Sequence, residues 1–131
     1  MTIVDSVFGE MTYDYGWTKK DSISFLEKDY LICCVASAYK QQDILEVQRE
    51  AYLDYIKNKS TYEIEIDKLI NKHFASFIDE THIKNSITPK EIVFDREGKF
   101  AVLCDCSWDE EKGIAIVLSP YMKVVSQNEF L

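Results

Sequence analysis

From Tyr30 to Ala36 the chain reads Tyr-Leu-Ile-Cys-Cys-Val-Ala with no polar alternation. A strand of that composition is buried on both faces, which places it centrally in a sheet with a helical layer above it. The run is far short of the roughly 20 apolar residues that span a bilayer. A second apolar run, Phe100 to Cys104, is followed by Gly113 to Leu118, which reads as its antiparallel return. The link between them, Trp108 to Lys112, is expected to be an acidic turn. Asp109 suits its first position, where a carboxylate accepts backbone N–H bonds, and Gly113 supplies a positive φ at its end.

In chain order, Thr2 to Phe8 reads as a strand and Gly9-Glu10 as a hairpin turn. Met11, Tyr13, Tyr15 and Trp17 alternate with Thr12, Asp14 and Gly16, so one half-buried strand is expected with its aromatic stripe on the core face. Thr18 to Asp21 reads as a polar turn, Ser22 to Leu26 as a third strand and Glu27 to Asp29 as another turn. Asp43 with Glu46 has the form of a capping box opening a helix that ends near Asn58. Ile44, Val47, Gln48, Ala51, Tyr52 and Tyr55 share its apolar face. Ser60 with Glu63 repeats the box, and Tyr62, Ile66, Leu69, Ile70, His73, Phe74 and Phe77 give the next stripe. Two helices with so short a link imply a helical hairpin. Glu80 to Ser86 reads as polar and irregular. Pro89 precedes a strand from Glu91 to Phe94, Asp95 to Gly98 is a type I hairpin turn, and Met122 to Ser126 is a last strand after a turn at Ser119 to Tyr121. The expectation is one globular α+β domain over residues 1–131. Its mostly antiparallel sheet comes from N- and C-terminal strand groups and is covered by a central two-helix hairpin.

With Lys and Arg totalling 15 against 23 Asp and Glu, the net charge is −8. Such a surface repels phosphate backbones, so the expected partner is a basic protein and not nucleic acid. No basic leader precedes the first strand, and no membrane span is read, which gives a cytoplasmic expectation. The cysteines Cys33, Cys34, Cys104 and Cys106 come as an adjacent pair and a C-x-C, spacings unlike those of zinc ligands, and are expected to be inert buried thiols. His73 sits within an apolar stripe with no second histidine near it in sequence, as a core or rim histidine does.

The run Asp105-Cys106-Ser107-Trp108-Asp109-Glu110-Glu111-Lys112-Gly113 resembles the signature of a family of small uncharacterised bacterial proteins, domains of unknown function. There a strand ends in aspartate-cysteine-serine-tryptophan-aspartate and continues with proline, glutamate, histidine and glycine. Trp108, Asp109, Glu111 and Gly113 match, while Glu110 and Lys112 stand in place of the proline and the histidine. A helix carrying Gln48, Ala51 and Tyr52 extends the likeness. The resemblance implies an immunity-type role in a bacterial toxin system.

No phosphate-binding glycine loop, zinc-binding His-Glu-x-x-His or nucleophile elbow occurs. The leading reading is therefore a non-catalytic interaction module without a cofactor, possessing candidate interaction residues Asp105, Trp108, Asp109, Glu110, Glu111 and Gly113. The alternative is a small-molecule- or divalent-metal-dependent enzyme using the carboxylates of Asp105, Asp109, Glu110 and Glu111. Trp108 is expected to be mostly buried, anchoring the turn, so that its deletion would cost roughly 3–5 kcal/mol.

Overall fold

A computed structural model describes residues 1–75 and 80–131, the side chains of 80, 81 and 109–112 apart. Phe77, counted above in an apolar stripe, lies outside the described residues. The strands are β1 (Thr2–Asp5), β2 (Gly9–Tyr13), β3 (Trp17–Phe25), β4 (Lys28–Ala36), β5 (Ile87–Phe94), β6 (Phe100–Cys106), β7 (Asp109–Ser119) and β8 (Lys123–Ser126). They form one open eight-stranded sheet in chain order. Neighbours pair antiparallel except at the centre, where β4 and β5 run parallel from Cys33↔Glu91 to Ala36↔Phe94. Between them lie α1 (Glu46–Lys57), α2 (Lys59–Phe74) and α3 (Glu80–Ser86), and α4 (Gln127–Phe130) follows β8.

This corrects the expected architecture of a mostly antiparallel α+β sheet under a helical hairpin. The sheet is mixed, and α1 and α2 do not pair as a hairpin. Asn58 alone separates them, with φ −110° and ψ 19°. Reversing a helix takes a loop of about two to five residues, so one residue in that conformation bends the path without folding it back. The two helices consequently bear on different strands, α1 on β5 and α2 on β3 and β8, while α3 packs against α2 and β5.

Several element boundaries differ as well. The Met11–Trp17 alternation is broken by a turn at 14–16, where Asp14 N–H donates to the Gly16 carbonyl (2.9 Å), and Gly9-Glu10 begins β2. Thr18 to Asp21 is not a turn but part of β3. Lys19 lays its ammonium over the Tyr52 ring (4.6 Å) and donates to the Phe8 carbonyl (2.6 Å), so a cation faces the core. The β3–β4 turn is Leu26-Glu27, both at positive φ. Helix α1 has Leu45 as its N-cap, and Gln48, not Glu46, reaches back to the cap N–H (2.9 Å). Ser60 and Glu63 lie inside α2, where Glu63 accepts from Ser24 N–H. Glu80 to Ser86 is helical, and Pro89 lies within β5 at a bulge.

One sheet face and α1 to α3 enclose the main core, in which Phe94 is ringed by Phe8, Tyr52, Tyr55 and Phe100 at centroid distances of 5.1–6.0 Å. On the other face Val35, Val93, Ala101, Leu103, Ala115 and Val117 form a smaller cluster against which Phe130 of α4 packs. The expectation that Tyr30 to Ala36 is buried on both faces holds only for its second half: Cys34, Val35 and Ala36 are buried beside β5, whereas Leu31 is 71% exposed and Tyr30 and Cys33 are half-buried.

A buried carboxylate ties the first hairpin to α1. Asp5 Oδ2 accepts from Val7 N–H (3.0 Å) and Phe8 N–H (2.9 Å), Oδ1 accepts from Arg49 Nε (2.8 Å), and its side chain is 2% exposed. Burial alone would raise this carboxyl. The N–H groups of Phe8 and Val7 and the Arg49 guanidinium outweigh it and hold the group below the usual carboxylate range. A depressed folded pKa gives stability that is present above the unfolded value near 3.8 and lost as pH falls through the folded one. Asp5→Asn is expected to cost roughly 1–3 kcal/mol at pH 7, and the difference from wild type should shrink below pH 4, as read from urea midpoints across that range.

Candidate functional site

The β6–β7 hairpin carries the residues singled out from sequence. Cys106 pairs with Asp109, so the turn is Ser107-Trp108 alone, and the expected acidic turn at 108–112 is the start of β7. Asp109, Glu110 and Glu111 belong to that strand, and their side chains lie outside the described residues. Between Cys104↔Ile114 and Cys106↔Asp109 the register shifts, leaving 110–113 opposite Asp105 in a bulge. Gly113 closes the bulge at φ +61°, the conformation expected of it. A Cβ there would stand 2.6 Å from the Cys104 carbonyl oxygen and against the Gln127 amide, which itself donates to that carbonyl (2.8 Å). The bulge therefore requires glycine, and α4 plugs it.

Trp108 is 44% exposed, not mostly buried. Its ring meets Phe74 of α2 edge to face at 5.2 Å, so it leans on the helix from outside. A two-residue turn puts the tryptophan at the tip, beyond the strands that would cover it. Asp105 is exposed and pairs with Lys90 of β5 (3.5 Å). With Asn85, Ser86, Thr88, Cys106 and Ser107 it lines an open polar cleft of about 350 Å³. Among the described residues no three His, Cys, Asp or Glu side chains group as metal ligands.

Cys34, Cys104 and Cys106 are buried, and burial pushes the Cys34 thiol up to about 12 and Cys104 well above the ordinary range. Cys33 is half-buried on the opposite sheet face, 3.2 Å from Lys20 Nζ. His73 is exposed and touches the Phe74 ring, a rim position. Met11 and Trp17 of the aromatic stripe are core residues, while Tyr15 stands in the exposed turn.

A second cleft, of about 240 Å³, lies beyond the carboxyl ends of β4 and β5 and is lined by Tyr15, Ser37, Ala38, Tyr39, Gln42 and Arg96. Tyr15 donates its phenol to Glu91 (2.6 Å), and burial together with that carboxylate raises the phenol's pKa, so it remains a donor. Arg96 Nη1 donates to the Ser37 (3.3 Å) and Asp43 (2.7 Å) carbonyls. Sequence reasoning missed this site. Its residues lie in three separated stretches, and the signal that unites them is the direction in which β5 runs beside β4, which no periodicity records.

Fold and sites define a small mixed-sheet domain with a tryptophan-tipped hairpin at one place and a loop-built cleft at another. The chain belongs to the family described as Domain of unknown function (DUF6985), which matches residues 7–127. No curated protein and no solved structure matches it. Among the described residues no helix is long and apolar enough to cross a membrane.

Proposed function

We propose that the chain is a non-catalytic protein-interaction module that docks a basic protein through the β6–β7 tip. In this reading the partner is a bacterial toxin, neutralised in the cytoplasm by an immunity-type protein. The observation that carries the proposal is the exposure of Trp108, a large ring held against Phe74 at a hairpin tip. Tryptophans so placed are typical binding hot spots, because a rigid ring buries much area on contact at little entropic cost. The sequence continues Asp109-Glu110-Glu111, and a net charge of −8 steers a cationic partner toward the surface.

The test is capture from a lysate of the source cells on immobilised protein. Wild type should retain a basic protein at low salt and release it at high salt. Trp108→Ala should weaken capture about thirtyfold or more, the effect of a hot spot of about 2 kcal/mol. The same variant should lose only roughly 1–2 kcal/mol of stability in thermal melts, below the range for a fully buried ring. Recovery of no basic protein, or capture indifferent to Trp108, ends this reading.

A further inference from the structure

We propose that the cleft beyond the carboxyl ends of β4 and β5 binds a small aromatic carboxylate, with Arg96 pairing the acid and Tyr15 and Tyr39 walling the ring. This site is separate from the Trp108 tip and does not depend on it. The residues that follow each parallel strand, Ser37 to Tyr39 after β4 and Arg96 after β5, meet in it. Where two parallel strands end side by side, the loops that leave them can bring backbone and side-chain groups to one crevice, the concave kind of place in which small ligands bind.

The loop is held in place before any ligand arrives. Tyr13 Oη donates to the Ala38 carbonyl (3.0 Å), Trp17 Nε1 to Gln42 (2.8 Å) and Gln48 Nε2 to Ser37 (2.9 Å), while Tyr39 N–H donates to the Gln42 side chain (2.7 Å). A loop tied from β2, β3, α1 and the β5–β6 turn has already lost the freedom that binding would otherwise have to remove. Arg96 spends Nη1 on loop carbonyls. Among the described residues its Nε and Nη2 hydrogens have no partner shown, leaving a planar fork that matches a carboxylate. Phosphate would demand more donors and would bring more charge to a chain of net −8 and toward Glu91, so a monoanion fits better. The volume, about 240 Å³, lies below the roughly 300 Å³ at which pockets for drug-sized ligands begin, which limits the ligand to about one ring.

The experiment titrates the isotope-labelled full chain with benzoate, with neutral benzamide as the matched control and inorganic phosphate as competitor, following amide shifts. Benzoate should give saturable shifts centred on residues 37–42 and Arg96, benzamide should bind at least tenfold more weakly, and phosphate should not displace benzoate. Arg96→Lys keeps the charge but loses the fork and should weaken binding about tenfold. Since that change also loosens the loop, Tyr39→Ala is the second variant. Its ring is 82% exposed, so it should weaken benzoate binding with an unchanged melting midpoint. Trp108→Ala should leave the titration as in wild type, which separates this site from the docking reading. No saturable benzoate shift, equal affinity for benzamide, displacement by phosphate, shifts centred elsewhere or an indifferent Tyr39→Ala would each overturn the proposal.

Discussion

Gln48→Leu should lower stability by roughly 3 kcal/mol, and Gln48→Glu by roughly 5 at pH 7, in urea unfolding. Gln48 is fully buried, accepts from Leu45 N–H (2.9 Å) and donates to the carbonyls of Ser37 (2.9 Å) and Phe94 (3.0 Å). Leucine fills much the same space, so the cost is chiefly that of the abandoned hydrogen bonds. The carbonyls keep one partner each, Arg96 at Ser37 and Ser37 N–H at Phe94, which holds the loss to about 1 kcal/mol per bond. Glutamate instead turns a negative oxygen toward two carbonyl oxygens. Its neutral form is favoured in the fold, the folded pKa rises above the unfolded one, and the deficit should shrink as pH falls from 7 toward 4. A deficit independent of pH would show that Gln48 matters by shape alone.

Phe94→Ala should cost about 4 kcal/mol, a large part of the 5–15 typical of a domain. The ring stacks on Phe100 (5.1 Å) and takes edge contacts from Phe8, Tyr52 and Tyr55. A cluster built around one ring cannot collapse into the void without moving α1 off the sheet, so the cavity cost is retained. Phe94→Leu should cost less than half as much. Tyr52→Ala combined with Phe94→Ala should fall short of the sum of the two, since each removes contacts of the other.

What could be read in the sequence followed from local burial. The β4 run, the β6–β7 pair, the Asp95–Gly98 turn, with Gly98 at φ +84°, and the end of α1 at Asn58 all depend on neighbours within a few residues. Errors arose where one residue served two purposes. Tyr15 continues an aromatic alternation yet stands in a turn, and Lys19 looks like turn polarity yet lies over Tyr52. Helix α3 shows one buried apolar residue, Ile83, too few to trace a stripe. The candidate tip was legible as a motif, but whether Trp108 faced the core or the solvent depended on a turn of two residues and not five. The Arg96 cleft was not legible, because Tyr15, Tyr39 and Arg96 become neighbours only after the crossover sets β5 parallel to β4.

That parallel seam also orders the assembly of the chain. β1 to β4 and β5 to β8 are each consecutive antiparallel ribbons closed by short turns, so each half can zip up with little loop entropy to overcome. Joining the halves is different in kind. Pairing Cys33 with Glu91 closes a loop that contains the whole helical crossover, and Gln48 of that crossover bridges the two strand ends. The seam is therefore expected to form after the ribbons, which pulse-labelling amide exchange during refolding would show as later protection of β4 and β5 at their shared edge. A molecule parted along the seam would retain the ties of Tyr13 to Ala38 and Trp17 to Gln42 within the first half but would separate Arg96 from the Ser37 and Asp43 carbonyls, so the Arg96 cleft is complete only while the two halves are joined.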